Sequence, residues 1–181
     1  MGIYLNPNFE NFRRTLAAEI YVDKTMMIAE INKFIDHGNN YICVSRPRRF
    51  GKTIAGNMLS AYYSKGCDSR ELFAGCKIAN VSGYEEKMNQ YNVIKLDING
   101  AYQNIREKER MIDILTEKIK TEMRKEFPSV SLPKEYSLAE SILERMKLTY
   151  ESVKPVSKYM LIISAFYQLS DYASGNKADR S

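Results

Sequence analysis

The sequence has no tryptophan, one histidine (His37) and three cysteines (Cys43, Cys67, Cys76). A single histidine leaves little from which to build a zinc centre or a nucleophile–histidine–acid triad. It reads instead as a solvated helix end beside Gly38-Asn39-Asn40. The cysteines are odd in number and lack Cys-x-x-Cys spacing. That argues against a disulfide framework and for a reduced, cytoplasmic chain. Cys43 lies in an apolar run and reads as a small core residue. No apolar stretch is long enough to span a bilayer and no secretory h-region opens the chain, so no membrane partner is expected. Met1-Gly2 is followed at position 6 by Asn6, where myristoylation asks for Ser or Thr. Internal repeats and low-complexity segments are also missing.

What remains is globular in character. The 181 residues are 44% apolar and 27% charged, enough for one domain with a sizeable core. The net charge of +5 is unevenly placed, with Arg46, Arg48, Arg49 and Lys52 within seven positions. Such a cluster suits a triphosphate or a nucleic-acid backbone, and charge alone does not choose between them.

Those residues belong to Arg46-Pro47-Arg48-Arg49-Phe50-Gly51-Lys52-Thr53. An apolar run read as a strand, Tyr41 to Ser45, precedes them, and a helical run from Ile54 to Tyr63 follows. Gly-Lys-Thr at a strand-to-helix turn is the core of a Walker A phosphate loop. Glycine permits close backbone approach, lysine reaches the β- and γ-phosphates, and the threonine hydroxyl holds Mg²⁺. The helix start adds N–H donors and a positive dipole end. The full motif asks for glycine at position 46, where this chain has Arg46.

Elsewhere, Asp23 is placed to cap a helix from about Lys24 to His37, with Met27, Ile28, Ile31, Phe34 and Ile35 on its core face. Ile54, Met58, Leu59 and Tyr62 form a core face after the loop. Residues 66–84 read as irregular, with one short helix at Glu71–Ala74. Val93–Ile98 reads as a strand. A long amphipathic helix spans Ile105 to Phe127, laced by Glu117 with Lys120 and Glu122 with Lys125. Ser137 opens a further helix to about Tyr150 with a capping box. Alternating strands and helices imply an α/β fold, a parallel sheet with its ligand at the carboxyl ends of the strands.

Ser45 to Thr53, preceded by Tyr21-Val-Asp-Lys-Thr25, resembles the AAA-ATPase-like family of P-loop ATPases of bacteria and archaea. Phe9-Glu-Asn-Phe12, Leu72-Phe-Ala-Gly75 and Asn92-Val-Ile-Lys-Leu-Asp97 add to the resemblance, which covers roughly residues 5–105. The family's loop is arginine-rich, so Arg46 is a family trait. The resemblance implies a P-loop NTPase-like parallel sheet flanked by helices, with ATP and Mg²⁺ as cofactors. It also implies an AAA-type ATP hydrolase, and longer members often end in a restriction-endonuclease-like domain. Nucleic acid is thereby a second candidate partner beside nucleotide. Subunit assembly is left unassigned, with no arginine finger to name. Asp23 and Lys24 become candidate neighbours of the nucleotide pocket.

Hydrolysis requires an acid at the end of a second strand, and in the family an Asp-Glu pair follows an apolar run. The matching run here, Tyr159 to Ile163, is followed by Ser164-Ala165, and the next acid is Asp171. Hydrolysis is therefore expected to be weak or absent. The alternative acid is Asp97, read more simply as the residue capping the Asn99-Gly100 turn. Residues 1–150 are read as the ATPase-like domain and 151–181 as an atypical tail, truncated or frameshifted, leaving the sheet incomplete. Alternative readings are a nucleotide-independent nucleic-acid- or protein-binding module built on Arg46, Arg48 and Arg49, or an inactive remnant.

Overall fold

Tyr91–Asp97 forms strand β1 and Lys158–Ser164 forms strand β2, paired in parallel from Tyr91 opposite Lys158 to Asp97 opposite Ser164. The computed structural model describes residues 2–36, 42–44, 50–97, 104, 110–126, 128 and 158–164. Along its other side β1 meets the N-terminal segment. Leu5 bridges Ile94 in antiparallel fashion, the Asn6 N–H donates to Val93 O at 2.8 Å, and the Lys95 N–H donates to Tyr4 O at 2.8 Å. Strand residues alternate faces, and β1 uses this to divide two cores. Tyr91 and Val93 join a cluster with Met58, Tyr62, Tyr63 and Phe73 on one face. Ile94 and Leu96 join Leu5, Ile119 and Met123 on the other.

The first face is covered by α3, Lys52–Tyr63. Its buried side mixes small residues (Gly56, Ser60, Ala61) with Met58, Tyr62 and Tyr63, so the helix lies close to the strands. A Cβ on Gly56 would sit 3.8 Å from Ile162 Cγ2 of β2. The helix ends where Ser64 turns extended at ψ 121°, and Asn89 Nδ2 donates to the Ser64 carbonyl at 2.8 Å. The opposite face is covered by α5, Met111–Glu126, through Ile119 and Met123.

Before α3 come α1, Glu10–Leu16, and α2, Met26–Asp36. Phe12 of α1 stacks on Phe73 of α4, Arg70–Ala74, with centroids 5.2 Å apart. A 3₁₀ turn, Lys77–Asn80, follows. The tyrosines of α3 also tie the helices together, since the Tyr63 hydroxyl donates to Asn32 Oδ1 of α2 at 2.6 Å. Helices outweigh strands among the described residues.

Several expectations need correction. Ile42, Cys43 and Val44 are described without strand structure, and all three are exposed. A strand exists through its ladder partners, and no described residue pairs with them. Cys43 is accordingly not a core residue. Helix α2 begins at Met26 rather than Lys24. Phe34 and Ile54, expected on core faces, are 46% and 42% exposed. The long helix is described from Met111 to Glu126, and only its Glu117–Lys120 pair forms as expected, at 3.3 Å. Tyr41, Ser45, His37–Asn40, Ile98–Gly100, Ile105, Phe127, the 137–150 helix, Ala165 and Asp171 lie outside the described residues.

Candidate functional site

The Gly-Lys-Thr segment forms the start of α3. Gly51 is the N-cap residue with φ 78° and ψ 28°, left-handed geometry that glycine adopts without steric cost. Lys52 and Thr53 open the first turn, which contains no acidic side chain. A cation there opposes the helix dipole, and the backbone N–H groups of a helix start favour negative charge. A Cβ on Gly51 would lie 3.3 Å from Lys24 Nζ, so the backbone approaches a second lysine more closely than most side chains allow. Lys24 Nζ donates to Phe50 O at 2.8 Å, tethering the residue before the glycine. Arg46, Pro47, Arg48 and Arg49 lie outside the described residues.

Lys24 is set in place by its neighbours. Asp23 Oδ1 accepts from the Thr25 N–H at 2.8 Å and the Thr25 hydroxyl at 2.6 Å, while Oδ2 accepts from the Lys77 N–H at 2.7 Å. Thr25, fully buried, accepts from the Ile78 N–H at 3.1 Å. Asp23 therefore does not cap the first turn of α2 as expected. It forms an Asx turn and clamps the 3₁₀ turn, leaving Lys24 between two anchored residues and aimed at the loop. Partial burial opposes ionisation of Asp23, but the hydrogen bonds from Thr25 and the Lys77 N–H outweigh it and hold the carboxyl below its ordinary value. A carboxyl lowered in the folded state stabilises above its unfolded pKa, and that contribution fades as pH falls through the folded value. The stability gap between the native protein and Asp23→Asn is thus expected to be widest above its ordinary value of 3.8 and to close as pH falls below it. Chemical denaturation across that range measures this, and a gap that stays constant into strong acid would refute it.

Asp97 ends β1, and its register partner is Ser164. Lys95, two residues earlier, sends its ammonium to Asn57 Oδ1 of α3. Burial pushes the Lys95 pKa down, and the Asp97 charge partly offsets that. No three or more His, Cys, Asp or Glu side chains converge among the described residues to hold a metal. A Mg²⁺ ion would rest on Thr53, phosphate oxygens and a single acid, a small ligand set that suits this ion.

Neither periodicity nor charge points to the Lys24 tether, and the Asp-Lys-Thr resemblance is its one signal in the sequence. Glu122 takes partners other than the one its spacing suggests. Instead of pairing with Lys125, its carboxylate accepts the N–H groups of Ile3, Tyr4 and Leu5 at 2.9, 2.9 and 2.8 Å. The open groove beside it, lined by Ile3, Tyr4, Asp113, Ile114 and Glu117, lies on the α5 side of β1, away from Lys52.

No described helix is long and apolar enough to cross a membrane. No curated protein and no solved structure matches the chain. The family described as "Predicted AAA-ATPase" matches residues 5–164, a span that holds Lys24, the Gly51–Thr53 turn and both strands. The chain belongs to this AAA-ATPase-like family.

Proposed function

We propose that the chain is an ATP-binding P-loop domain whose phosphate site is centred on Gly51, Lys52 and Thr53. The left-handed Gly51 at the start of α3 carries this reading, because it turns the backbone into a helix N-terminus with a lysine in its first turn. Lys52 reaches the β- and γ-phosphates, and backbone N–H groups from Arg49 to Lys52 cradle them. Thr53 offers its hydroxyl to Mg²⁺, which would neutralise phosphate charge and orient the triphosphate. Lys24 holds Phe50 O and so fixes the entry to the loop. Arg48 and Arg49 add positive charge to the same segment. The β1–β2 pair belongs, in this reading, to a P-loop-type parallel sheet with α3 and α5 on its two faces.

Binding and turnover separate here. Ser164, at the end of β2, has no carboxylate, so hydrolysis is weak or absent. The direct test is thermal unfolding of the purified chain with and without Mg²⁺-ATP. At about a hundred times the dissociation constant, ligand stabilises by about 2.7 kcal/mol, a rise of about 5–10 °C for a chain of this size. A cooperative transition that ATP does not move would overturn the proposal. Salt-sensitive nucleic-acid binding that ATP fails to displace would favour the arginine-cluster module instead.

A further inference from the structure

Helix α3 runs antiparallel to β1, and contacts at two levels fix how the two align. At one end Ser64 bridges Tyr91, and the Lys65 N–H donates to Tyr91 O at 2.9 Å. Farther along, Asn57 meets Lys95. Going from Tyr91 to Lys95 climbs about 13 Å of strand at about 3.3 Å per residue. Going back from Ser64 to Asn57 climbs about 10 Å of helix at about 1.5 Å per residue. The next two strand residues add about 6.6 Å, which four helix residues match with about 6 Å. Counted from the Ser64–Tyr91 bridge, Asp97 lies about 20 Å along the strand and Thr53 about 16 Å along the helix. The two therefore stand within one helical turn of each other in height.

Face and height agree. Lys95 meets α3, and strand side chains two apart share a face, so Asp97 belongs to the α3 side of β1. Val93, two residues before Lys95, packs into the α3 core, whereas Ile94 and Leu96 pack into the α5 core. Register adds a third constraint, because Asp97 is the partner of Ser164, the position from which an acid is missing.

We infer that Asp97 is the carboxylate that positions hydrated Mg²⁺ beside the Thr53 hydroxyl, doing from β1 what Ser164 cannot do from β2. The inference rests on the phosphate-loop reading and deepens it. It gives this chain a metal-dependent nucleotide affinity. It supplies no carboxylate to orient an attacking water, so it leaves turnover weak. Asp97 also supports the half-buried ammonium of Lys95, but that role does not depend on Mg²⁺, and the two are separable.

The test is equilibrium ATP binding in EDTA and in Mg²⁺ for the native chain, Asp97→Asn and the double variant Asp97→Asn/Ser164→Asp, with Mn²⁺ paramagnetic resonance as a direct count of bound metal. In EDTA, Asp97→Asn is expected to bind ATP no more weakly than the native chain, because a carboxylate facing the phosphates without metal repels them. The affinity gained on adding Mg²⁺ is expected to fall about 10–100-fold in Asp97→Asn, with loss of the ATP-dependent bound Mn²⁺ signal. The double variant returns a carboxylate to the same level and should regain part of that increment. Asp97→Asn retaining the full Mg²⁺ increment overturns the assignment, as does equal loss of affinity with and without metal. Should Asn at this position prevent cooperative folding, Asp97→Glu carries the test. Because Glu keeps a carboxylate, it should retain at least part of the Mg²⁺ increment and of the bound Mn²⁺ signal. Complete loss of both in a folded Asp97→Glu with native metal-free affinity overturns the role. A native chain that binds no ATP in either condition overturns the phosphate loop itself, a result distinct from failure at Asp97 alone.

Discussion

Glu122→Ala is expected to destabilise the fold by about 2–4 kcal/mol, more than most single surface substitutions. One carboxylate on α5 accepts three consecutive backbone N–H groups, from Ile3, Tyr4 and Leu5. Bonds to a charged acceptor are the stronger kind, and two of these three are partly buried. The bond from Ile3 is exposed and adds least. Truncation leaves donors without an acceptor and releases the segment that pairs with the side of β1 away from β2 through Tyr4, Leu5 and Asn6. Leu5 would then lose its place in the core with Ile94 and Met123. Glu122→Gln keeps an acceptor oxygen without the charge and should fall between the two. Urea unfolding reads this as a lower midpoint at similar slope. A Glu122→Ala loss within about 0.5 kcal/mol would mean that the N-terminal segment is held by its strand contacts alone.

Glu122 also shows where sequence reading stops. Its helix is legible from the spacing of Leu115, Ile119 and Met123, all buried as expected. Its role is not, because its partners lie more than a hundred residues away in sequence, whereas the local pattern offers Lys125 one turn on. Short elements with local causes are read closely. Strand β1 is expected at Val93–Ile98 and runs Tyr91–Asp97; helix α4 is expected at Glu71–Ala74 and runs Arg70–Ala74. Of the strand expected at Tyr41–Ser45, Ile42–Val44 are described without strand structure and no described residue pairs with them. Apolar β-branched residues favour a strand chiefly where another strand packs and pairs with them. At the site, Gly51-Lys52-Thr53 is legible because glycine before a helix signals special backbone geometry, and Gly51 is left-handed. The Asp23–Thr25 clamp is half legible. Asp23 promises a local hydrogen bond, but its bond to the Lys77 N–H depends on how two distant segments meet.

Lys52→Ala separates a binding residue from a structural one, because the two roles predict opposite outcomes. Lys52 occupies the first turn of α3, a turn without acidic side chains, where positive charge opposes the helix dipole. Alanine is the better helix former at that position. Without ligand, the variant is expected to unfold cooperatively within about 1 kcal/mol of the native chain, relief of the dipole conflict being set against loss of the contact Lys52 makes in the fold. With Mg²⁺-ATP the outcome differs. On the proposed assignment, in which the Lys52 ammonium meets the triphosphate, the stabilisation of about 2.7 kcal/mol at saturating nucleotide should disappear. Thermal unfolding of both proteins with and without nucleotide gives all four values. A variant that keeps its ATP shift would remove Lys52 from the phosphate site. A variant that loses cooperative unfolding without ligand would make the lysine structural. Unchanged folding with abolished response is the signature of a residue placed against helix electrostatics for the sake of an anion. The left-handed Gly51 immediately before it is the backbone counterpart of the same arrangement.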